Sequence, residues 1–408
     1  MTAPLFTTND ADVTQLEGVY IKETTPPGTV QETSLNTVGV FGPTLKGPVG
    51  VPVNITSEQR FIDVFGGGYL NGVQINKVWT SILNKGFSNL YVARVFAAAA
   101  VKSSFTCESA SGGAGSTTIR IDASSVGTWG NLVKWKIAAA TDAVANHFDL
   151  FIQDTITGKT WQYKNLDTVG GDNLLATIGT DDARLVDVTK LSATRPSNSI
   201  ASTDGADVNG YTFLGQTVAG YTSVAGTDGS VADSDYFGTG KGLDLLATLK
   251  GVALVYPAEY TSANLKAAVK VFAAASSDRM FMIGGVDQTT APATVITDVA
   301  TYRSDRIVYC YGHCYTIDPI TGTEVLVRPE SWMAVVLANT DVDIHPGEQD
   351  TKRFLAGITR LYNPSLTRQD YVNLKAAGIA ALEVDLGDPV FVSGVVTDLT
   401  PGKTEIAR

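Results

Sequence analysis

Both ends of this chain alternate short apolar strands with helix-spaced segments, but residues 98–237 between them do not. That interruption limits the fold more than any other feature. In SLNTVGVFGPTLKGPVGVPVNIT (34–56) an apolar strand runs into a Gly-Pro loop. In SEQRFIDVFGG, Ser57 stands at an N-cap position, and Phe61, Val64 and Phe65 share one helical face. INKVWTSILNKG (75–86) has apolar residues at 75, 78, 79, 82 and 83, closed by Gly86, which predicts a second helix. SNLYVARVF then reads as a strand. The alternation returns at 238 with GLDLLATL, VALVYPAE, NLKAAVKVFAAA and RMFMIGGVD, and continues through VITDVATYR, DRIVYCYG, ESWMAVVLANTD, TRQDYVNLKAAG, IAALEVD and DPVFVSGVVT.

Between these segments Gly, Ser, Thr and Asp rise, and strand patterns such as STTIRIDAS, LVKWKIAAA, FDLFIQD and TWQYKNL are separated by turn clusters. DTITGKTW reads as a hairpin connection. The expected fold class is therefore an α/β (α+β) core built from N-terminal and C-terminal segments, interrupted by a β-rich inserted domain. The expected boundaries are an N-terminal arm with a short strand at 1–25, a discontinuous core at 26–97 and 238–408, and the insertion at 98–237. In the arm, LEGVYIKETT offers one strand before Pro26, Pro27 and Gly28 break it. Its period places Val19 and Ile21 on one face and Gly18, Tyr20 and Lys22 on the other, with Glu23 following. Such a strand needs a sheet to join, in its own chain or in a neighbour.

Composition narrows the function classes. Only 17% of the 408 residues are charged, and 40 are Gly, which suits a β-rich chain with many turns. The formal net charge of −11 argues against nucleic acid as a partner. No run approaches the roughly 18 apolar residues that span a bilayer, and the N-terminus lacks the pattern of a secretory signal. Membrane insertion is not expected, and assembly is expected in a cytoplasm.

The candidate chemical motifs fall to spacing. The three cysteines, Cys107, Cys310 and Cys314, argue against a disulfide framework. Read as one strand, DRIVYCYGHCYTID would hold Cys310 and Cys314 roughly 13 Å apart at about 3.3 Å per residue, so with His313 they make a poor metal clip. The GKT at 402–404 has Thr397 where a phosphate loop needs Gly, and the GKT at 158–160 has Gln153 there. FGGGY (65–69) follows a helix and reads as its terminator. Asp228, Asp233 and Asp235 do not fit calcium-loop grammar and read as an exposed turn. Trp129 could stack on a ligand, but Gly127 and Gly130 around it favour an indole packed over a tight turn. None of His147, His313 and His345 sits in a nucleophile motif, so neither an enzyme nor a cofactor is expected.

Several stretches, in this order, resemble the contractile tail sheath family of tailed bacteriophages and related injection machines. LEGVYIKE resembles the family's opening P-G-V-Y-x-x-E, with Leu16 and Glu17 replacing the usual apolar-Pro. FGPTLKGPVGVPVNITSEQRFIDVFGG and NKGFSNLYVARV resemble its next two segments, with Lys85 and Phe87 differing in the second. SSVGTWGNLVKWKI, with Gly127, Trp129, Gly130 and Asn131, resembles G-x-W-G-N-x-L-x-V at the start of the family's inserted domain. AGTDGSVADSDYFG, with Asp228 and Gly229, resembles its close, and LTRQDYVNLKAAGIAAL and VFVSGVVTDL resemble two late segments. The order spans roughly 16–398, and ordered context gives individually weak motifs their weight. Two family features differ here: the stretch before the late helix is DIHPGEQDTKRFLAG, and the late Arg-Thr is Val396-Thr397.

The resemblance implies a structural protein of the virion tail, assembled in the host bacterial cytoplasm. It implies stacked rings around an inner tail tube, with tail terminator and baseplate proteins as further partners, and a contraction that drives the tube through an envelope during DNA ejection. It also implies that Gly18–Glu23 is an inter-subunit strand added to a neighbour's sheet. The family continues beyond the last strand into a tube-facing domain and arm. The ending LTPGKTEIAR therefore reads as a boundary, and the 408-residue chain is expected to be monomeric, which light scattering tests. Two alternatives remain open at this level: a sheath of a headless tailocin or extracellular injection system, and a host- or carbohydrate-binding virion protein.

Overall fold

The computed structural model describes residues 37–399 apart from 71–72, 75, 83, 88, 110–115, 169–177, 180–181, 199–206, 219–220, 277, 286–288, 339–354, 364–365, 386–387 and 392–395. The arm strand Gly18–Glu23 and the ending at 400–408 thus lie outside the described residues. The chain first forms β1 (Thr37–Pro43), β2 (Val53–Ile55), α1 (Glu58–Phe65), a small hairpin of β3 (Tyr69–Leu70) and β4 (Val73–Gln74), α2 (Lys77–Ile82) and β5 (Asn89–Val95). It then forms β6 (Ser104–Glu108), β7 (Thr117–Ala123), β8 (Val133–Ala139), β9 (His147–Asp154), β10 (Thr160–Asp167), β11 (Val186–Lys190), β12 (Thr212–Phe213) and β13 (Ser223–Val224).

Alternation resumes with α3 (Gly242–Thr248), β14 (Leu254–Pro257), α4 (Ala263–Ala275), β15 (Met280–Gly284), α5 (Pro292–Val299) and β16 (Ile307–Tyr311). The last elements are β17 (Cys314–Ile317), β18 (Glu324–Val327), α6 (Glu330–Ala338), β19 (Ile358–Leu361), α7 (Arg368–Ala376), β20 (Ile379–Asp385) and β21 (Asp388–Phe391).

Local chemistry explains the helix ends. Ser57 Oγ accepts the Arg60 N–H at 3.1 Å to start α1, and Gly66 at φ 82° ends it. Thr367 and Asp370 close a reciprocal capping box on α7: the Asp370 N–H donates to Thr367 Oγ1 and the Thr367 N–H to Asp370 Oδ2.

Eight strands form the main sheet in the order β2-β5-β1-β14-β15-β16-β20-β21. The six inner strands are parallel, and β2 and β21 close the edges antiparallel. The order reverses between β1 and β14, as in doubly wound sheets, whose strands are buried on both faces. Period-two alternation sends Val38 and Val40 of β1 to one face, where Phe61, Trp79 and Trp332 of α1, α2 and α6 cover them. Phe41 goes to the other face, against Leu243, Leu246, Leu265 and Val295 of α3, α4 and α5. Gly39 also lies on that second face, where the close approach of Val252 leaves no room for a side chain: Cβ there would sit 2.9 Å from Val252 Cγ1.

Residues 104–224 supply every strand of two four-stranded antiparallel sheets, β10-β9-β8-β12 and β11-β7-β6-β13. In β8, Val133, Trp135 and Ile137 turn inward while Lys134 and Lys136 turn out. The two sheets meet through Phe105 of β6 and Trp135 of β8, with ring centroids 4.9 Å apart. Their shared core includes Leu45, from the loop after β1, so it is continuous with the main-sheet segment.

One expectation is corrected. DRIVYCYGHCYTID is not one strand. Gly312 adopts φ 103°, which ends β16 and sends the chain into β17 of a separate three-stranded sheet, β18-β17-β19. Cys310 and Cys314 therefore belong to different sheets, and the strand-based separation of the two does not apply.

Candidate functional site

The clearest convergence of sequence-marked residues lies where the loop after β13 returns past the entry to the middle segment. Gly127 caps the start of a 3-10 turn that holds Trp129, Gly130 and Asn131 between β7 and β8, and Asp228 and Gly229 come back to it from about 100 residues further on. Asp228 accepts the Thr128 N–H at 2.9 Å and the Thr128 hydroxyl at 2.6 Å. Gly127, at φ 127°, fits because Cβ there would lie 2.9 Å from Asp228 Oδ1. Asn131 binds the returning backbone twice: its Nδ2 donates to the Gly226 carbonyl at 2.9 Å, and its Oδ1 accepts the Gly226 N–H at 2.7 Å. Ser103 Oγ donates to the same Asn131 oxygen at 2.6 Å. Gly229, at φ 63°, packs beside Ala97.

The indole of Trp129 is buried at 1% exposure and donates to the Val126 carbonyl at 3.2 Å. A buried ring held this way cannot offer its face to a ligand, and Lys46 lies over it, 5.8 Å from the centroid. Asp228, Asp233 and Asp235 are not one exposed turn, which corrects the second local expectation. Asp233 accepts from Tyr260, Ser262 and Asn264 at the start of α4, and buried Asp235 pairs with Lys241 at 2.8 Å. Each carboxylate has separate donors, which draws the three apart in role.

Arg94, Ser103 and Gly226 complete this junction and were not singled out from sequence. Arg94 is the penultimate residue of β5 and is 5% exposed. It donates to the carbonyls of Gly47 at 3.0 Å, Leu45 at 3.4 Å and Val126 at 2.8 Å, joining the loop after β1 to the turn before Trp129. Burial lowers its guanidinium pKa to about 10, against the opposing pull of Asp228. The sequence signals for them are YVARV around Arg94 and AGTDG around Gly226. Gly226 has the tightest requirement, since Cβ there would lie 2.4 Å from the Gly127 carbonyl oxygen. Gly226→Ala should cost about 2–3 kcal/mol in urea unfolding, because backbone rather than a flexible side chain must move. An effect below about 0.5 kcal/mol would show that the two loops are not held together.

A doubly wound sheet takes its ligands outside the carboxyl ends of its strands, where the order reverses. Here that point, between β1 and β14, is filled by protein: Cβ on Gly42 would lie 2.6 Å from Ala258 Cβ and 3.2 Å from Val78 Cγ2. Beside it, buried Lys85, Arg328 and Glu330 and half-buried Glu259 form a charge cluster. The three thiols are buried, and burial raises the pKa of each, that of Cys314 to about 12. Among the described residues no group of three or more His, Cys, Asp or Glu side chains is placed to hold a metal ion. Both the junction and the crevice join segments of the chain, and the side chains of Arg94 and Asn131 at the junction bond to backbone groups.

No protein-family model matches the sequence, and no curated protein matches it. Solved structures do match the fold. The sheath tail protein of Listeria innocua superposes with a TM-score of 0.60 at 14% identity, over 90% of this chain and 72% of that protein. The sheath tail protein of Desulfitobacterium hafniense superposes with a TM-score of 0.56 at 16% identity, over 96% of this chain and 78% of that protein.

Proposed function

We propose that this chain is a structural subunit of a contractile tail sheath, polymerising as stacked rings around an inner tail tube and contracting to drive it through a bacterial envelope. The observation that carries this reading is the junction. Residues 127–131 and 228–229 resemble the opening and closing motifs of an inserted domain, and they hydrogen-bond to each other in a fold shared with sheath tail proteins. In this reading residues 98–237 are the inserted domain and face away from the tube. Contraction would draw on repacking of a bistable lattice, with no nucleotide consumed.

Electron microscopy of tails that contain this chain tests the proposal. The chain should be wound along the tube in both extended and contracted particles. Its restriction to a fibre or tip, together with glycan binding by residues 98–237, would replace the proposal with the host-binding reading.

The arm has its own test. As an added strand, Gly18–Glu23 would give its neighbour a ladder of backbone hydrogen bonds, and proline cannot donate to such a ladder. Ile21→Pro should abolish ring stacking in assembled particles while leaving the thermal midpoint of the isolated chain within about 1 °C. Stacked rings of normal yield with this variant would assign the connection to another segment.

A further inference from the structure

The charge cluster beside the crevice gathers side chains from three places. Lys85 follows α2, Glu259 follows β14, and Arg328 and Glu330 flank the step from β18 into α6. Glu259 adopts φ 49°, a conformation that a non-glycine residue keeps only where its surroundings hold it. Arg328 donates to Glu330 Oε1 through Nε at 3.0 Å and Nη2 at 2.9 Å, and also to the Gly285 carbonyl. Its backbone N–H donates to Glu259 Oε2 at 2.9 Å. Lys85 lies 4.2 Å over the Trp332 ring, near enough to Glu259 to act on its charge. Tyr256 of β14 and Cys314 of β17 also face Glu259, and burial keeps both in their neutral, protonated forms.

Glu259 Oε1 and Glu330 Oε2 are both enclosed without a hydrogen-bond donor among the described residues. Buried acceptors without donors are costly, and one added proton on a carboxylate turns an acceptor into a donor. The guanidinium of Arg328 is already committed to Glu330, so Glu259 carries the carboxylate less well neutralised.

We propose that this cluster is a proton-operated joint, in which one proton taken up at Glu259 supplies the missing donor and tightens the grip between the end of α2, the end of β14 and the β18–α6 step. The electrostatics give its direction. Burial raises Glu259 to about 7, against the opposing pull of Lys85 and Arg328, and burial lowers Lys85 to about 8. A raised carboxyl stabilises the fold below its ordinary range, and that stabilisation is lost as pH rises through about 7. A lowered amine stabilises above its ordinary range, and that stabilisation is lost as pH falls through about 8. The joint is therefore weakest between about 7 and 8, where both groups are charged, and mild acid strengthens it.

Urea unfolding of the full chain and of Glu259→Gln between pH 5 and pH 7.5 tests this. Relative to the variant, the unfolding equilibrium constant of the unaltered chain should rise at least about tenfold across that interval. Infrared spectra of the unaltered chain should show a protonated-carboxyl band at roughly pH 6 that disappears by roughly pH 8, where ordinary glutamates are ionised throughout. Parallel pH curves for the two proteins would overturn the proposal. If Glu259→Gln does not fold, the infrared titration decides alone, and absence of the band at pH 6 overturns it.

Discussion

Replacing Arg94 by Ala should lower the free energy of unfolding by about 3–5 kcal/mol. Arg94 is almost fully enclosed, and its donors serve three backbone carbonyls, those of Leu45, Gly47 and Val126. These carbonyls lie in irregular segments, so no ladder partner can take over. Each buried acceptor left without a donor costs about 1–3 kcal/mol, and partial relaxation keeps the total below a simple sum. The same change removes the cation that offsets Asp228, whose carboxylate caps the turn at Thr128. Arg94→Lys separates charge from geometry. One ammonium on a flexible stem restores the cation but cannot reach all three carbonyls, so it should recover less than half of the loss. Urea titrations of both variants measure this. A loss within about 1 kcal/mol for Arg94→Ala would mean that the two segments hold together without the guanidinium.

How far the sequence could foretell this follows from which contacts are local. The start of α1 was legible because Ser57 and Arg60 are neighbours in sequence, and so was its end at Gly66. The inward set of β8 was legible because a period of two is a local property. Sheet order is not local. Nothing in TVGVFGP says that β1 lies between β5 and β14, because both partners reach it only through long connections. The break at Gly312 was hidden for a related reason. YCYGHCY has strand composition on both sides, and a single glycine is compatible with continuation or with a bend.

The junction shows the same division. Trp129 and Asp228 were readable as marked positions, and the burial of the indole followed from its glycine flanks. That Asp228 caps Thr128 across about 100 residues was not readable, since it depends on how the strands between them return. Arg94 sat inside a recognised stretch, but an arginine at a strand end is usually solvated, so only its burial shows its role. The charge cluster left still less trace. Lys85, Glu259 and Arg328 look like ordinary surface residues in sequence and become chemically distinct only through the elements that enclose them.

That enclosure makes Gly284→Ala the other substitution expected to be severe, at about 3–5 kcal/mol. Cβ at this position would lie 2.2 Å from Glu330 Oε1 and 3.0 Å from the Cys310 carbonyl. The carboxylate cannot simply swing away, because Oε1 is the oxygen that accepts both donors of Arg328. Glu330 is 1% exposed and Arg328 is 7% exposed, so neither can turn to water for compensation. Displacing Oε1 therefore breaks a buried pair rather than shifting a surface one, and leaves a desolvated guanidinium with the Gly285 carbonyl as its one remaining acceptor among the described residues. A double-mutant cycle with Glu330→Gln separates the two possible origins of the loss. If the methyl acts through the ion pair, Gly284→Ala should cost at least about 1.5 kcal/mol less in the Glu330→Gln background. If the loss is the same in both backgrounds, the crowding acts on the Cys310 backbone, and the cluster does not depend on close approach at the end of β15.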